Sequence, residues 1–116
     1  MILVVGDPTV LDKALQILNR DRQVFLALDA AQALELAGNL AFSVALVDLD
    51  LAAGAGFDLI RTLRRSVPVL QIIAITNATY SLSPEDAQKL GVVAVLKKPI
   101  TLDWKPVVER IRARRA

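Results

Sequence analysis

Short apolar runs alternate along this chain with longer stretches in which apolar residues recur every three or four positions. Ile2 to Val5 reads as a strand. Thr9 stands where it can cap a helix carrying Leu11, Leu15 and Leu18 inward. Gln23 to Leu28 is a second strand. Asp29 and Gln32 have the spacing of a capping box, opening a helix through Leu34 and Leu36 that stops near Gly38. Ser43 to Val47 is a third strand ending at Asp48. A small-residue loop from Leu51 to Gly56 leads to a helix with Phe57, Ile60 and Leu63 on one face. Val69 to Ile75 is a β-branched fourth strand ending at Thr76, followed by a loop from Asn77 to Leu82. Ser83-Pro84 caps a short helix that ends at Gly91. Val92 to Leu96 is a fifth strand, and a last helix starts around Asp103, with Pro106 in its first turn. Five β–α units in succession predict an α/β fold with a parallel sheet and right-handed crossovers, in one domain over residues 1–116.

Composition agrees with that pattern. Hydrophobic residues make up 54% of the 116 positions, and mean hydropathy is +0.47. Strands buried on both faces of a helix-covered sheet account for this richness. A membrane span does not, because the uncharged stretch from Ser66 to Ser83 is broken by Pro68, Gln71, Thr76, Asn77 and Thr79. Met1 runs directly into the first strand with no signal-peptide pattern. Together with the lack of cysteine, this leads us to expect a cytoplasmic protein. There is no histidine either, so Ser-His-Asp and Cys-His hydrolases are excluded. The net charge of +2 suggests no nucleic-acid partner. Arg110, Arg112, Arg114 and Arg115 crowd the C-terminal end, where cations complement a helix dipole.

Open α/β sheets bind ligands beyond the carboxyl ends of their strands. Asp7 follows the first strand and Asp48 the third, with Asp50 two residues on. Thr76 and Asn77 follow the fourth, and Lys98 the fifth. Strand alternation and the following Pro99 favour Lys98 over Lys97 as the inward lysine. Carboxylates suit a hard cation such as Mg²⁺. Lysine neutralises an anion, and a hydroxyl donates to a phosphoryl oxygen. The set suits phosphoryl transfer to a carboxylate.

Four motifs then carry a resemblance: Ile2-Leu-Val-Val-Gly-Asp7, Val47-Asp48-Leu49-Asp50-Leu51 with Gly56, Ala74-Ile75-Thr76-Asn77-Ala78, and Leu96-Lys97-Lys98-Pro99. In this order and spacing, the chain resembles a CheY-like receiver domain of two-component response regulators. The resemblance implies a flavodoxin-like, doubly wound (βα)5 fold with strand order 2-1-3-4-5. It implies that Asp48 accepts a phosphoryl group from a histidine kinase or phosphotransfer protein. It also implies that Asp7, Asp48 and the backbone carbonyl of Asp50 bind Mg²⁺, that Thr76 contacts the phosphoryl group and moves on activation, and that Lys98 pairs with it. The Lys98-Pro99 peptide is expected to be cis, and pairing through the fourth helix, fifth strand and fifth helix makes a homodimer. Such a domain is a signalling switch and not an enzyme, and needs no direct nucleic-acid or membrane contact.

The chain departs from the family pattern in four places. Gly6 replaces one of two adjacent acids, which weakens the expected Mg²⁺ site. Asn77 stands where a very small residue is usual, Val95 where a swinging Tyr or Phe is frequent, and Ala52 where proline is common. Whether Asp50 adds a carboxylate or faces solvent stays open, as does Thr76 as a switch against a local strand hydrogen bond. Gly6 is also readable as permitting an unusual backbone. The leading reading is a phosphorylatable receiver. Its rival is a pseudo-receiver, an interaction module that signals without phosphorylation. A flavin or other cofactor binder ranks below both, because no glycine-rich phosphate loop follows the first strand.

Overall fold

A computed structural model describes residues 1–18, 23–51, 55–77, 83–98 and 103–113, without the side chain of Arg112. Expectations for Ala52, Ala78, Leu82, Pro99 and its peptide bond, Arg114 and Arg115 lie outside these residues. The elements are β1 (Ile2–Val5), α1 (Pro8–Leu18), β2 (Val24–Ala27), α2 (Ala30–Asn39), β3 (Val44–Asp48), α3 (Ala55–Ser66), β4 (Gln71–Thr76), α4 (Pro84–Leu90), β5 (Ala94–Lys97) and α5 (Trp104–Ala113). All four strand pairings are parallel, in the order β2-β1-β3-β4-β5. This is the flavodoxin-like order that the resemblance implied.

Alternation along each strand builds two cores. Leu3, Val5, Ala45, Val47, Ile72 and Ala74 point to one face, which Leu59, Ile60 and Leu63 of α3 cover together with Ala33 of α2 and Leu90 of α4. Ile2, Val4, Val44, Leu46, Ile73 and Ile75 point to the other, under α1 and α5. The three central strands are almost wholly buried, whereas the edge strands β2 and β5 are only partly covered. That explains why β1, β3 and β4 read as unbroken apolar runs.

Helix ends follow local chemistry. The Asp29 side chain accepts from the Gln32 amide at 2.8 Å, and Gln32 Oε1 accepts from the Leu28 amide at 2.7 Å. Ser83 caps α4, and Gly91 closes it in the left-handed region at φ 85°. There the Arg64 guanidinium lies where a Cβ would stand, and Arg64 Nη1 donates to the Leu90 carbonyl at 3.2 Å. Gln71 Nε2 donates to the Ile111 carbonyl at 2.7 Å, tying the start of β4 to α5.

Several expectations shift. α1 is capped by Asp7 instead of Thr9: its Oδ1 accepts from the Val10 amide at 2.9 Å, with Pro8 at the first helical position. The buried stripe of α1 is Val10, Leu11, Ala14 and Leu18, leaving Leu15 37% exposed. The turn at Val67–Leu70 delays the fourth strand to Gln71, and Val69 faces solvent. β2 is shorter than the apolar run from Gln23 to Leu28. α2 continues past Gly38 to Asn39, and β5 starts at Ala94, two residues after Val92. α5 begins at Trp104, one residue after Asp103, and buries Trp104, Val108 and Ile111. No helix among the described residues is long and apolar enough to cross a membrane.

Leu63 is fully buried against the sheet. Leu63→Ala is expected to cost about 2–5 kcal/mol of unfolding free energy in urea titration.

Candidate functional site

The strand ends meet where the alternation brings them. β3 continues Val44 and Leu46 into Asp48, which is 1% exposed. Leu49 then returns to the sheet by donating its amide to the Ile75 carbonyl at 2.8 Å. α3 starts hard against this turn. A Cβ on Gly56 would run into the Asp48 carbonyl oxygen and stand 3.0 Å from the Leu49 Cα, so the position is held to glycine by backbone contact. One strand over, the Thr76 carbonyl accepts from the Lys98 amide at 2.8 Å. Lys98 shares the parity of Ala94 and Leu96, the residues of β5 that pack on the α1/α5 face, whereas Lys97 is exposed.

Asp48, Asp50, Asp7 and Lys98 therefore share one small volume. Lys98 Nζ lies 3.0 Å from Asp48 Oδ2, 3.1 Å from Asp50 Oδ2 and 3.9 Å from Asp7 Oδ2. The other oxygen of Asp48, Oδ1, accepts the Asp50 amide at 2.9 Å. Both oxygens of a carboxylate withdrawn from water are thus paired, which its burial demands. Burial alone would push the Lys98 ammonium down. Its hydrogen bonds to Asp48 and Asp50, and then the charges of those carboxylates, outweigh burial and raise its pKa above the ordinary 10.5.

Thr76 sits at the same end of the sheet, fully buried, and its Oγ1 has no hydrogen-bond partner among the described residues. A buried hydroxyl left unpaired costs about 1–3 kcal/mol, so an acceptor brought to this end of the sheet would be favoured by Thr76. Among the described residues the local hydrogen bond weighed for Thr76 is not seen. Asn77 is half-buried, and Val95 packs against the core on the α2/α3/α4 face.

Gly6 has a steric explanation. Its φ is not positive; Gly91 alone among the described glycines has that property. A Cβ on Gly6 would stand 2.8 Å from Val10 Cγ1, 3.0 Å from Val10 Cβ and 3.4 Å from Asp48 Cβ. Val10 fills the space that a longer side chain would enter, and nothing in the linear sequence signals it. The Asp7 cap was readable from Asp7-Pro8.

The donors present suit a hard cation in kind. Asp7 keeps Oδ2 clear of its capping bond, and Asp48 faces the same ammonium; both are oxygen ligands of the type Mg²⁺ takes. Among the described residues no three acidic side chains form a metal-holding group by themselves. Gly6 adds no oxygen donor.

The raised Lys98 pKa has a signed consequence. Its stabilisation is complete below the ordinary value of 10.5 and is lost as pH rises through the higher folded value. The stability difference between wild type and Lys98→Met in urea titrations should therefore stay constant from pH 7 to 10 and shrink above that range.

Comparison with known proteins gives a consistent result. The response regulator receiver domain profile matches residues 2–109. No curated protein sequence matches. A receiver domain protein from Methanospirillum hungatei JF-1 is 28% identical with a TM-score of 0.80, over 98% of this chain and 91% of its own. The NtrX receiver domain of Brucella abortus is 24% identical with a TM-score of 0.86, over 97% and 98%. A response regulator from Burkholderia pseudomallei, solved with a phosphorylated aspartic acid, a calcium ion and citrate, is 27% identical with a TM-score of 0.76, over 99% and 72%. With the profile spanning nearly the whole chain and the strand order agreeing, the chain belongs to the response regulator receiver domain family.

Proposed function

We propose that residues 1–116 form a single phosphoacceptor receiver domain, taking a phosphoryl group from a histidine kinase or phosphotransfer protein onto Asp48. The observation that carries this reading is the constellation at Asp48: a buried carboxylate, a lysine ammonium at 3.0 Å and, at the same end of the sheet, a buried threonine hydroxyl with no partner among the described residues. A carboxylate oxygen of Asp48 attacks the phosphorus. The phosphorus–nitrogen bond of the donor phosphohistidine breaks, and the freed imidazole takes up a proton. Lys98 neutralises the oxygens of the new acyl phosphate, and the Thr76 hydroxyl donates to one of them. Asp7, Asp48 and the Asp50 backbone carbonyl would hold Mg²⁺, which supplies further charge neutralisation. The Burkholderia pseudomallei relative carries a phosphorylated aspartic acid, which supports an aspartate as the kind of acceptor in this reading.

The product stays on the protein, so the domain acts as a switch rather than as an enzyme. We place it in the cytoplasm with its kinase, without direct nucleic-acid contact. Homodimer formation through α4, β5 and α5 is supported by β5 being an edge strand and by α4 burying Leu90 alone.

The departures at Gly6, Asn77 and Val95 favour the pseudo-receiver reading. The Gly6 position, filled by Val10, supplies no second acid.

Mass spectrometry of the intact chain with Mg²⁺ and acetyl phosphate should show the gain of one phosphoryl group, lost in Asp48→Ala. Lys98→Ala should slow the gain by about 10²-fold, as for loss of one stabilising donor. No gain in wild type, even at high Mg²⁺, would leave the pseudo-receiver. Gly56→Ala, which forces the Asp48 backbone to move, should cost about 1–3 kcal/mol in urea titration although alanine is the better helix former, and should slow the mass gain as well.

A further inference from the structure

We propose that the Asp50 carboxylate competes with Asp48 for the Lys98 ammonium, and so sets how tightly the site holds an anion on Asp48. The inference rests on the phosphoacceptor reading and concerns the side chain of Asp50, apart from its carbonyl. Lys98 Nζ divides itself almost equally, at 3.0 Å from Asp48 Oδ2 and 3.1 Å from Asp50 Oδ2. The Asp50 amide donates to Asp48 Oδ1 at 2.9 Å. The two aspartates and the lysine therefore close a ring: Asp50 grips Asp48 through its backbone and Lys98 through its carboxylate. The Asp50 side chain is 22% exposed, as is that of Lys98, so water screens this pair only in part.

An anionic group on Asp48 adds negative charge at the one point where the ammonium is already shared. Lysine is a compact point charge. As it swings toward the new oxygens it leaves Asp50, whose carboxylate then stands unpaired beside them. Asp50 thus holds Lys98 in place in the resting site and opposes its transfer, acting as a positioning residue through Lys98. Asp50→Asn removes the competing charge, keeps the side-chain shape and leaves the backbone amide in place for Asp48.

The test is calorimetric titration of the full chain with beryllofluoride, a phosphoryl mimic, at saturating Mg²⁺. Asp50→Asn is expected to bind about tenfold tighter than wild type, within the usual range of coupling between sites. Asp50→Glu is expected to behave as wild type. On a Lys98→Ala background, Asp50→Asn is expected to give no gain. Equal or weaker binding by Asp50→Asn in a wild type that binds overturns this inference and leaves the phosphoacceptor reading standing. A full gain that persists without Lys98 also overturns it, because Asp50 would then act by plain repulsion. Binding by no variant, with no mass gain from acetyl phosphate, removes the phosphoacceptor reading and this inference with it.

Discussion

A carboxylate taken out of water has to be answered by a cation and by hydrogen bonds within its own reach, and Asp48 is the place where this fold accepts that obligation. Breaking a buried ion pair by removing one partner typically costs about 3–5 kcal/mol, because the survivor is left charged in a poor solvent. Lys98 on one oxygen and the Asp50 amide on the other meet the requirement. They do so only because β3 and β5, separated by β4, end at matching heights. The parallel register sets this height: Asp48 lies beside Ile75 and Thr76 beside Lys97. A slip of one residue in either pairing would turn a charged side chain from the site into the other core.

The helices answer to the same point. α3 is brought up to the Asp48 carbonyl by Gly56, and α1 is drawn over the mouth of the site by the Asp7 cap, with Val10 seated against Gly6. Asp7 thereby serves two masters. One oxygen fixes the first turn of a helix, and the other faces the lysine at a longer distance and open to water. Structural and chemical roles are divided between two atoms of one side chain, so the start of α1 and the charge balance of the site cannot be altered independently.

Much of this was legible in the sequence, for identifiable reasons. Strand ends are marked by the change from β-branched runs to polar residues, so Asp48, Thr76 and Lys98 could be picked out, and parity along β5 separated Lys98 from Lys97. What escaped were properties of neighbours distant in sequence or of fine rotation. The Val10–Gly6 contact needs the angle at which α1 leaves the sheet. The side on which Leu15 falls depends on a rotation of the helix smaller than one residue step, and Leu11, Leu15 and Leu18 fit a single stripe equally well before packing selects Val10 and Ala14. Asp50 lies two residues beyond its strand end, where alternation no longer governs direction. Its choice between solvent and Lys98 was open until the lysine was located in space.

The attachment of α4 has a mechanical consequence. Its seven residues bury Leu90 alone, at the last turn, where the Arg64 guanidinium also reaches the Leu90 carbonyl across Gly91. A rigid rod fastened at one end is a lever. The helix is about 10 Å long at 1.5 Å per residue, so a tilt of about 10° at the Gly91 fulcrum carries its Ser83 end through about 2 Å. The Ser83 end is the one that follows β4 and Thr76 in the chain, while the Leu90 end rests on α3, whose first turn abuts the Asp48 backbone.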